Sequence, residues 1–139
     1  MTLYFRVDGT PISKARARVL RSGRSYTPAR TKAAEDKIAI FAKQAMMGKW
    51  VTTDKPVNLI LTFVMPRPKN HYRSNGKVKP QFAGLTHIIR PDLDNMVKLV
   101  KDALNGIAWK DDSQIVSLNA VKIYEHNQGE AHTEINIGV

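Results

Sequence analysis

The pattern of apolar and polar residues predicts four β-strands along the chain. In the first of them, Leu3, Phe5 and Val7 fall on one face and polar residues on the other, which is typical of a half-buried strand. The second is a largely apolar run that is rich in β-branched residues and bounded by prolines, as expected of a buried strand. The four predicted strands are Thr2–Asp8, Val57–Met65, Ile115–Tyr124 and His132–Ile137.

Apolar residues spaced three and four positions apart predict two amphipathic helices, Thr31–Met47 and Asp92–Asn105. Gly48 and Gly106 follow these helices as C-caps, and a short hairpin is predicted over Arg18–Thr27. The order of elements, β-(hairpin)-α-β-α-β-β, favours the α+β class. We therefore predict a single domain over residues 1–139, in which a small mixed β-sheet carries two packed helices.

The stretch from Arg67 to Gly84 is rich in Pro, Gly, Lys and Asn and separates a predicted strand from a predicted helix. Long loops in compact domains are often functional. We predict that residues 67–84 form a mobile loop that is poorly ordered without DNA.

The 139 residues carry a net charge of +10, and this charge is unevenly distributed. Residues 1–90 hold 18 Lys and Arg against 4 Asp and Glu, whereas residues 91–139 hold 4 against 8. Seven basic residues and no acid lie from Lys14 to Lys32, which predicts a basic arm that contacts phosphate groups. The acidic segment, residues 91–139, repels phosphate groups. Its carboxylates are therefore either ordinary surface charge or ligands of a cation.

Two acidic pairs stand at the predicted ends of elements. Asp92 and Asp94 open the second helix, where one aspartate is sufficient as a cap, and Asp111 and Asp112 precede a strand, where polar turns are common. A short return after the helix is expected to bring the second pair beside Asp92. Together with the strongly basic rest of the chain, the two acidic pairs favour phosphodiester hydrolysis in which carboxylates hold Mg²⁺. Lys98, one turn after Asp94, either assists the phosphate or pairs with a carboxylate four residues away.

Several kinds of chemistry lack support in the sequence. The chain has no cysteine, which excludes disulfides and thiolate metal sites. Its four histidines show no metal-ligand spacing; His87 is predicted to lie in a loop, and His126 and His132 on the surface. Neither a glycine-rich nucleotide motif nor a serine nucleophile elbow is present, so no nucleotide cofactor is expected. No apolar run reaches the roughly eighteen residues of a membrane span, and we expect a cytoplasmic protein without membrane contact.

Five segments together carry a specific pattern: G-x-P-x-x-K-x-R-x-R (residues 9–18), YTP (26–28), RPDLDNMVK (90–98), DALNG (102–106) and DDSQI (111–115). This pattern resembles the RusA family of Holliday junction resolvases, the crossover junction endodeoxyribonucleases. The resemblance covers nearly the whole chain except residues 67–84. It implies a small homodimeric nuclease, often encoded by a phage or prophage, that nicks two opposing strands of a four-way DNA junction with Mg²⁺ or Mn²⁺.

The resemblance also implies roles for single residues. It assigns the catalytic, metal-binding carboxylates to Asp92, Asp94 and Asp112, with Asp111 as the alternative to Asp112, and it makes Lys98 a catalytic or phosphate-contacting residue. We expect five basic residues to grip the DNA backbone: Lys14, Arg16, Arg18, Lys77 and Lys79. Two alternatives stay open: a nuclease of the same fold that acts on other branched DNA or on RNA, and a non-catalytic DNA-binding protein whose aspartates only cap a helix and close a turn.

Overall fold

The computed structural model describes residues 1–15 and 18–139, without the side chain of Arg18. Arg16 and the Arg18 side chain, both predicted to contact DNA, therefore lie outside the described residues. The elements are, in chain order, β1 (Thr2–Asp8), β2 (Arg18–Val19), β3 (Ser25–Tyr26), α1 (Ala29–Met46), β4 (Val57–Met65), α2 (Pro80–Ala83), α3 (Leu93–Leu104), β5 (Ile115–Tyr124) and β6 (His132–Gly138).

Four of the strands form one mixed sheet in the order β1-β6-β4-β5. Strand β6 pairs antiparallel with both β1 and β4, whereas β4 and β5 run parallel. Parallel neighbours need a long crossover between them, and α3 lies within the crossover from β4 to β5. The predicted α+β class and mixed sheet are confirmed.

The core lies on the sheet face that α1 and α3 cover. Along β1 buried side chains alternate with exposed ones, which is the pattern that the sequence predicts. In β4, predicted as a buried strand, Asn58 and Ile60 are exposed between buried residues. Leu59, Leu61 and Trp109 are fully buried. The residues of α3 that contribute to this core are Met96, Val97, Leu99, Val100, Ala103 and Leu104.

The structure differs from the sequence-based expectation in two places. A third helix, α2, lies inside the segment predicted to be a loop, and Pro80 at its first turn has the backbone angle that begins a helix. His132, predicted to lie on the surface, is buried, because its ring hydrogen-bonds the Glu130 carbonyl oxygen at 2.6 Å and the Glu134 carboxylate at 2.8 Å. In the described part of the chain, no helix combines the length and apolarity needed to cross a membrane.

Neighbouring residues of β4 allow a direct test of the two sheet faces. Leu61 is 0 % exposed and Ile60 is 50 % exposed. We predict that Leu61→Ala lowers the free energy of unfolding by about 2–5 kcal/mol, since it opens a cavity in the core. The matched control Ile60→Ala should lower it by less than about 1 kcal/mol. Urea denaturation measures both, and equal losses would contradict the assignment of the faces.

Candidate active site

The α3 helix begins within the acidic motif that the sequence singles out. Asp92 is its N-cap residue, with extended backbone angles (φ −70°, ψ 139°), and Asp94 lies in the first turn. Both side chains are exposed, and neither forms a side-chain hydrogen bond or ion pair within the described residues. The start of a helix stabilises negative charge. The two carboxylates are therefore solvent-facing oxygen donors that no other side chain in the described part occupies.

Lys122 of β5 holds the segment that leads into Asp92. Its ammonium donates hydrogen bonds to the backbone oxygens of Ile89 at 2.7 Å and Pro91 at 2.9 Å. Sequence reasoning missed this residue. A signal was present, because Lys122 pairs in register with the buried Phe63 and so stands on the helix-covered face, where apolar residues are expected.

An open cleft of about 970 Å³ lies beside Asp92. Its walls include Arg30 at the start of α1, Arg90, and Asn95 of α3. His87 also lines the cleft; its ring packs edge-on against Tyr124 with centroids 4.8 Å apart, and its Nδ1 atom has no hydrogen-bond partner in the described residues. Burial lowers the pKa of His87, with a further contribution from the charge of Lys122, so the ring is neutral at pH 7.

The two lysines of the predicted site have different surroundings. The Lys14 ammonium contacts the carboxylates of Asp102 and, at 3.9 Å, Glu35, which links the chain before β2 to α3 and α1. Its predicted contact with DNA stays a prediction, and it would compete with these ion pairs. Lys98 is exposed on α3 and has no carboxylate partner in the described part of the chain. The alternative in which Lys98 serves a helix ion pair therefore finds no support there.

Asp111 and Asp112 differ in their contacts. Asp111 caps a 3₁₀ turn over Asp112–Gln114: its carboxylate accepts a hydrogen bond from the Ser113 amide at 2.9 Å, and its own amide donates to Gln114 Oε1 at 2.8 Å. Hydrogen bonds from the side chain and the amide of Ser113 lower the pKa of Asp111. Asp112 Oδ1 accepts from the buried Trp109 indole at 2.8 Å, and its second oxygen accepts no hydrogen bond in the described residues. Asp111 closes the turn, whereas Asp112 keeps a free oxygen.

The expectation that the second acidic pair returns to Asp92 within one chain is wrong. Asp92 lines the same cleft as Met65, at the end of β4, whereas Asp112 stands just before Ile115, which pairs with Val57 at the start of β4. Eight residues of strand separate these positions, roughly 26 Å at about 3.3 Å per residue. Accordingly, within residues 1–15 and 18–139 no group of three His, Asp or Glu side chains is placed to hold a metal ion. The structure brings Asp92 and Asp94 together and leaves Asp112 at the opposite end of the sheet.

Residues 69–79, here called the basic hairpin, carry four basic residues and no acid. Tyr72 and Val78 form an isolated antiparallel bridge, and backbone hydrogen bonds join Arg73 to Lys77 and Lys79 to His71, both at 2.8 Å. Lys77 is exposed and Lys79 is half-buried. The basic hairpin thus has a defined backbone within the predicted loop; the mobility of residues 67–84 stays a prediction.

A buried polar cluster fixes the base of the basic hairpin. Glu125, 2 % exposed, accepts a hydrogen bond from the Tyr72 hydroxyl at 2.6 Å, and its backbone oxygen accepts one from Arg67 Nε at 2.7 Å. Arg67 also donates to the Phe82 carbonyl at 2.9 Å, and the His71 ring stacks on Phe82. Burial and the bond to Glu125 raise the pKa of Tyr72, which keeps its hydroxyl a donor. Sequence reasoning missed this cluster, because its members are far apart in the chain.

Comparison with known proteins identifies the family. The family model described as endodeoxyribonuclease RusA matches residues 8–138. YqaN of Bacillus subtilis (strain 168), named as an uncharacterized protein, is 36% identical over 126 residues, which cover 88% of this chain and 87% of that protein. The matched region contains α3, the cleft, the basic hairpin and both acidic pairs. The chain therefore belongs to the RusA endodeoxyribonuclease family, a family of Holliday junction-resolving endonucleases.

Proposed function

We propose that this protein is a Mg²⁺-dependent, structure-specific DNA endonuclease that acts as a homodimer and resolves four-way junctions by paired symmetric nicks. The observation that carries the proposal is the exposed, unpaired carboxylate pair of Asp92 and Asp94 at the start of α3, in a member of an endodeoxyribonuclease family. A junction has approximate two-fold symmetry, so two identical subunits related by a two-fold axis meet equivalent strands.

The oxygen donors at the start of α3 fit Mg²⁺. This ion prefers oxygen ligands and is usually held by one or two carboxylates together with water and substrate phosphate. Asp92 and Asp94 supply such carboxylates, and Mn²⁺ is a substitute ion; the role of Asp112, at the opposite end of the sheet, stays a prediction. When bound, Mg²⁺ supplies activation of a water nucleophile and neutralisation of charge on the phosphate.

The chain's own cations act on the phosphate from several sides. Lys98 lies one helical turn after Asp94, and its exposed ammonium stabilises the charge that develops as the phosphodiester is cleaved. Arg30 and Arg90 line the cleft and bind phosphates of the strand that enters it. Lys122 acts at one remove, because it fixes the backbone of Ile89 and Pro91 and thereby the position of Asp92.

The basic hairpin extends this phosphate-binding surface. Lys77 and Lys79 contact the DNA backbone, and Lys14, Arg16 and Arg18 are further phosphate contacts of this surface. Contacts with phosphate position the DNA without reading its bases. The resulting affinity is therefore strongly salt-dependent and weakly dependent on sequence.

Nicking of a synthetic four-way junction in Mg²⁺ tests the proposal. We predict that wild type nicks the junction and leaves linear duplex of the same sequence intact. Asp92→Asn should lower the nicking rate at least about 100-fold, since a metal contributes several kcal/mol and each 1.36 kcal/mol is a factor of ten.

Asp36→Asn is the matched control, because Asp36 is an exposed carboxylate of α1 that pairs with Lys32 one turn away. It should retain nicking within a few-fold of wild type. Full activity of Asp92→Asn would favour the non-catalytic DNA-binding alternative. Equal cutting of linear duplex would remove the preference for junctions, and faster cutting of a flap or an RNA substrate would favour the other nuclease alternative.

The positioning role of Lys122 predicts a different pattern. Lys122→Met removes both hydrogen bonds to the segment before Asp92, so nicking should fall about 10- to 100-fold, the range seen when supporting contacts of a metal site are lost. Junction affinity in metal-free buffer should change little, because the Lys122 ammonium binds backbone oxygens rather than DNA phosphates. Lys122→Arg should restore part of the rate. A loss of affinity with an unchanged rate for bound junction would contradict this role.

The basic hairpin is tested by the salt dependence of junction binding. Each lost phosphate contact should reduce the slope of log K against log salt by about 0.9. Lys77→Gln and Lys79→Gln should each do so, whereas Lys43→Gln, exposed near the end of α1, should not. Fluorescence anisotropy over a salt series measures the slopes. Identical slopes for wild type and both hairpin variants would remove the basic hairpin from the DNA-binding surface.

A further inference from the structure

Three large apolar side chains are exposed shortly before the acidic motif at the start of α3. Leu85 is 48 % exposed, Ile88 85 % and Ile89 59 %. Isolated apolar residues are ordinary on a protein surface, whereas adjoining ones are typical of a binding surface. Ile88 and Ile89 are consecutive, and Ile89 lines the same cleft as Asp92. Two solvent-exposed aliphatic side chains therefore lie next to the candidate active site.

The backbone that carries the two isoleucines is held on both sides. Before them, the buried His87 ring packs edge-on against Tyr124 with centroids 4.8 Å apart. After them, Lys122 donates hydrogen bonds to the backbone oxygens of Ile89 and Pro91. Because Lys122 and Tyr124 both belong to β5, these contacts fix the segment to the end of the sheet. The isoleucines are therefore exposed on an anchored segment.

The charges around the two isoleucines favour nucleic acid as the partner of this surface. Arg90 follows Ile89 directly, and both Arg30 and Arg90 line the cleft beside it. Residues 84–91 contain no acid. DNA matches this combination of cations and apolar side chains, because it presents phosphate groups together with the apolar faces of its bases.

The faces of DNA bases are accessible only where their stacking is interrupted. In linear duplex every base pair is covered by its neighbours. At the branch point of a four-way junction the strands exchange partners, so the flanking base pairs are the ones most easily unstacked. Proteins that kink DNA insert Ile, Leu or Phe side chains between base pairs and recover the cost of unstacking through further contacts.

We propose that Ile88 and Ile89 form an apolar wedge that inserts between base pairs at the branch point and thereby places the neighbouring phosphodiester at Asp92 and Asp94. The proposal rests on the proposed nuclease function and gives the preference for branched over linear DNA a structural basis. The wedge and the two carboxylates lie in one continuous segment, so insertion of the wedge sets which phosphodiester enters the cleft.

Fluorescence of 2-aminopurine tests the wedge without catalysis, because stacking quenches this base analogue. The junction carries the analogue beside its branch point and is saturated with protein in metal-free buffer, with anisotropy as the measure of binding. Wild type should raise the fluorescence at least about 2-fold, since it unstacks the labelled base. The double variant Ile88→Ser/Ile89→Ser should bind the junction and leave the fluorescence near that of free junction.

Two matched variants control for the loss of apolar surface. Ile40→Ser removes an apolar residue of α1 that is 55 % exposed and should keep the wild-type rise. Ile88→Leu should keep it as well, because leucine is also a wedge residue. With the analogue in the middle of an arm, no protein should raise the fluorescence. An absent rise with wild type, or an equal rise with the double variant, overturns the wedge.

Nicking rates of paired and mismatched junctions test the role of the wedge in the reaction. The double variant should nick a fully paired junction at least about 10-fold more slowly than wild type, because unstacking is no longer assisted. A mismatched pair beside the branch point should return its rate to within a few-fold of wild type, since a mispaired base unstacks more easily. Equally slow nicking of both junctions overturns the wedge.

A second copy of the chain is the other possible occupant of this surface. A double variant that is monomeric in size-exclusion chromatography, where wild type is dimeric, assigns the isoleucines to a subunit contact and overturns the wedge. If wild type nicks no junction, the nuclease function fails, and the fluorescence still decides the wedge. If wild type nicks junctions without any rise in fluorescence, the wedge alone fails.

Discussion

The parallel pairing of β4 and β5 is the constraint on which the rest of the structure depends. Because parallel strands cannot be joined by a tight turn, the chain must cross over, and the crossover supplies both the basic hairpin and α3. The chain lies beside the cleft at the end of β4 and returns along α3 to the start of β5. This path sets Asp92 and Asp94 at one end of the sheet and Asp112 at the other.

Two sets of polar contacts hold the segments of the candidate site on the sheet. Lys122 of β5 donates hydrogen bonds to the backbone before Asp92. Glu125, the residue after the end of β5, accepts hydrogen bonds from Arg67 and Tyr72 at the base of the basic hairpin. A charged side chain is costly to bury without hydrogen-bond partners, and Lys122 and Glu125 both have such partners. These contacts fix the backbone that leads into the carboxylate pair and the base of the basic hairpin.

Local sequence patterns predicted much of the fold and part of the candidate site. Alternation located β1, β5 and β6, and an apolar run bounded by prolines located β4. Helical spacing located α1 and α3 to within a few residues. The acidic motif and its helix were also found, since proline and a capping aspartate mark a helix start. The roles of Lys122 and Glu125 were not, because they depend on contacts between residues distant in the chain. The distance from Asp92 to Asp112 was misjudged, because spacing alone does not fix the direction of the return from α3.

We propose that the α3 carboxylates bind a divalent metal ion, and a calorimetric titration of the protein with Mn²⁺ measures this binding directly. We expect saturable binding to wild type and to the exposed-carboxylate control Asp36→Asn. Binding to Asp92→Asn should be at least about 10-fold weaker, because loss of one ligand or of its support costs that much or more. Equal Mn²⁺ affinity of wild type and Asp92→Asn would contradict the assignment of a metal site to the start of α3.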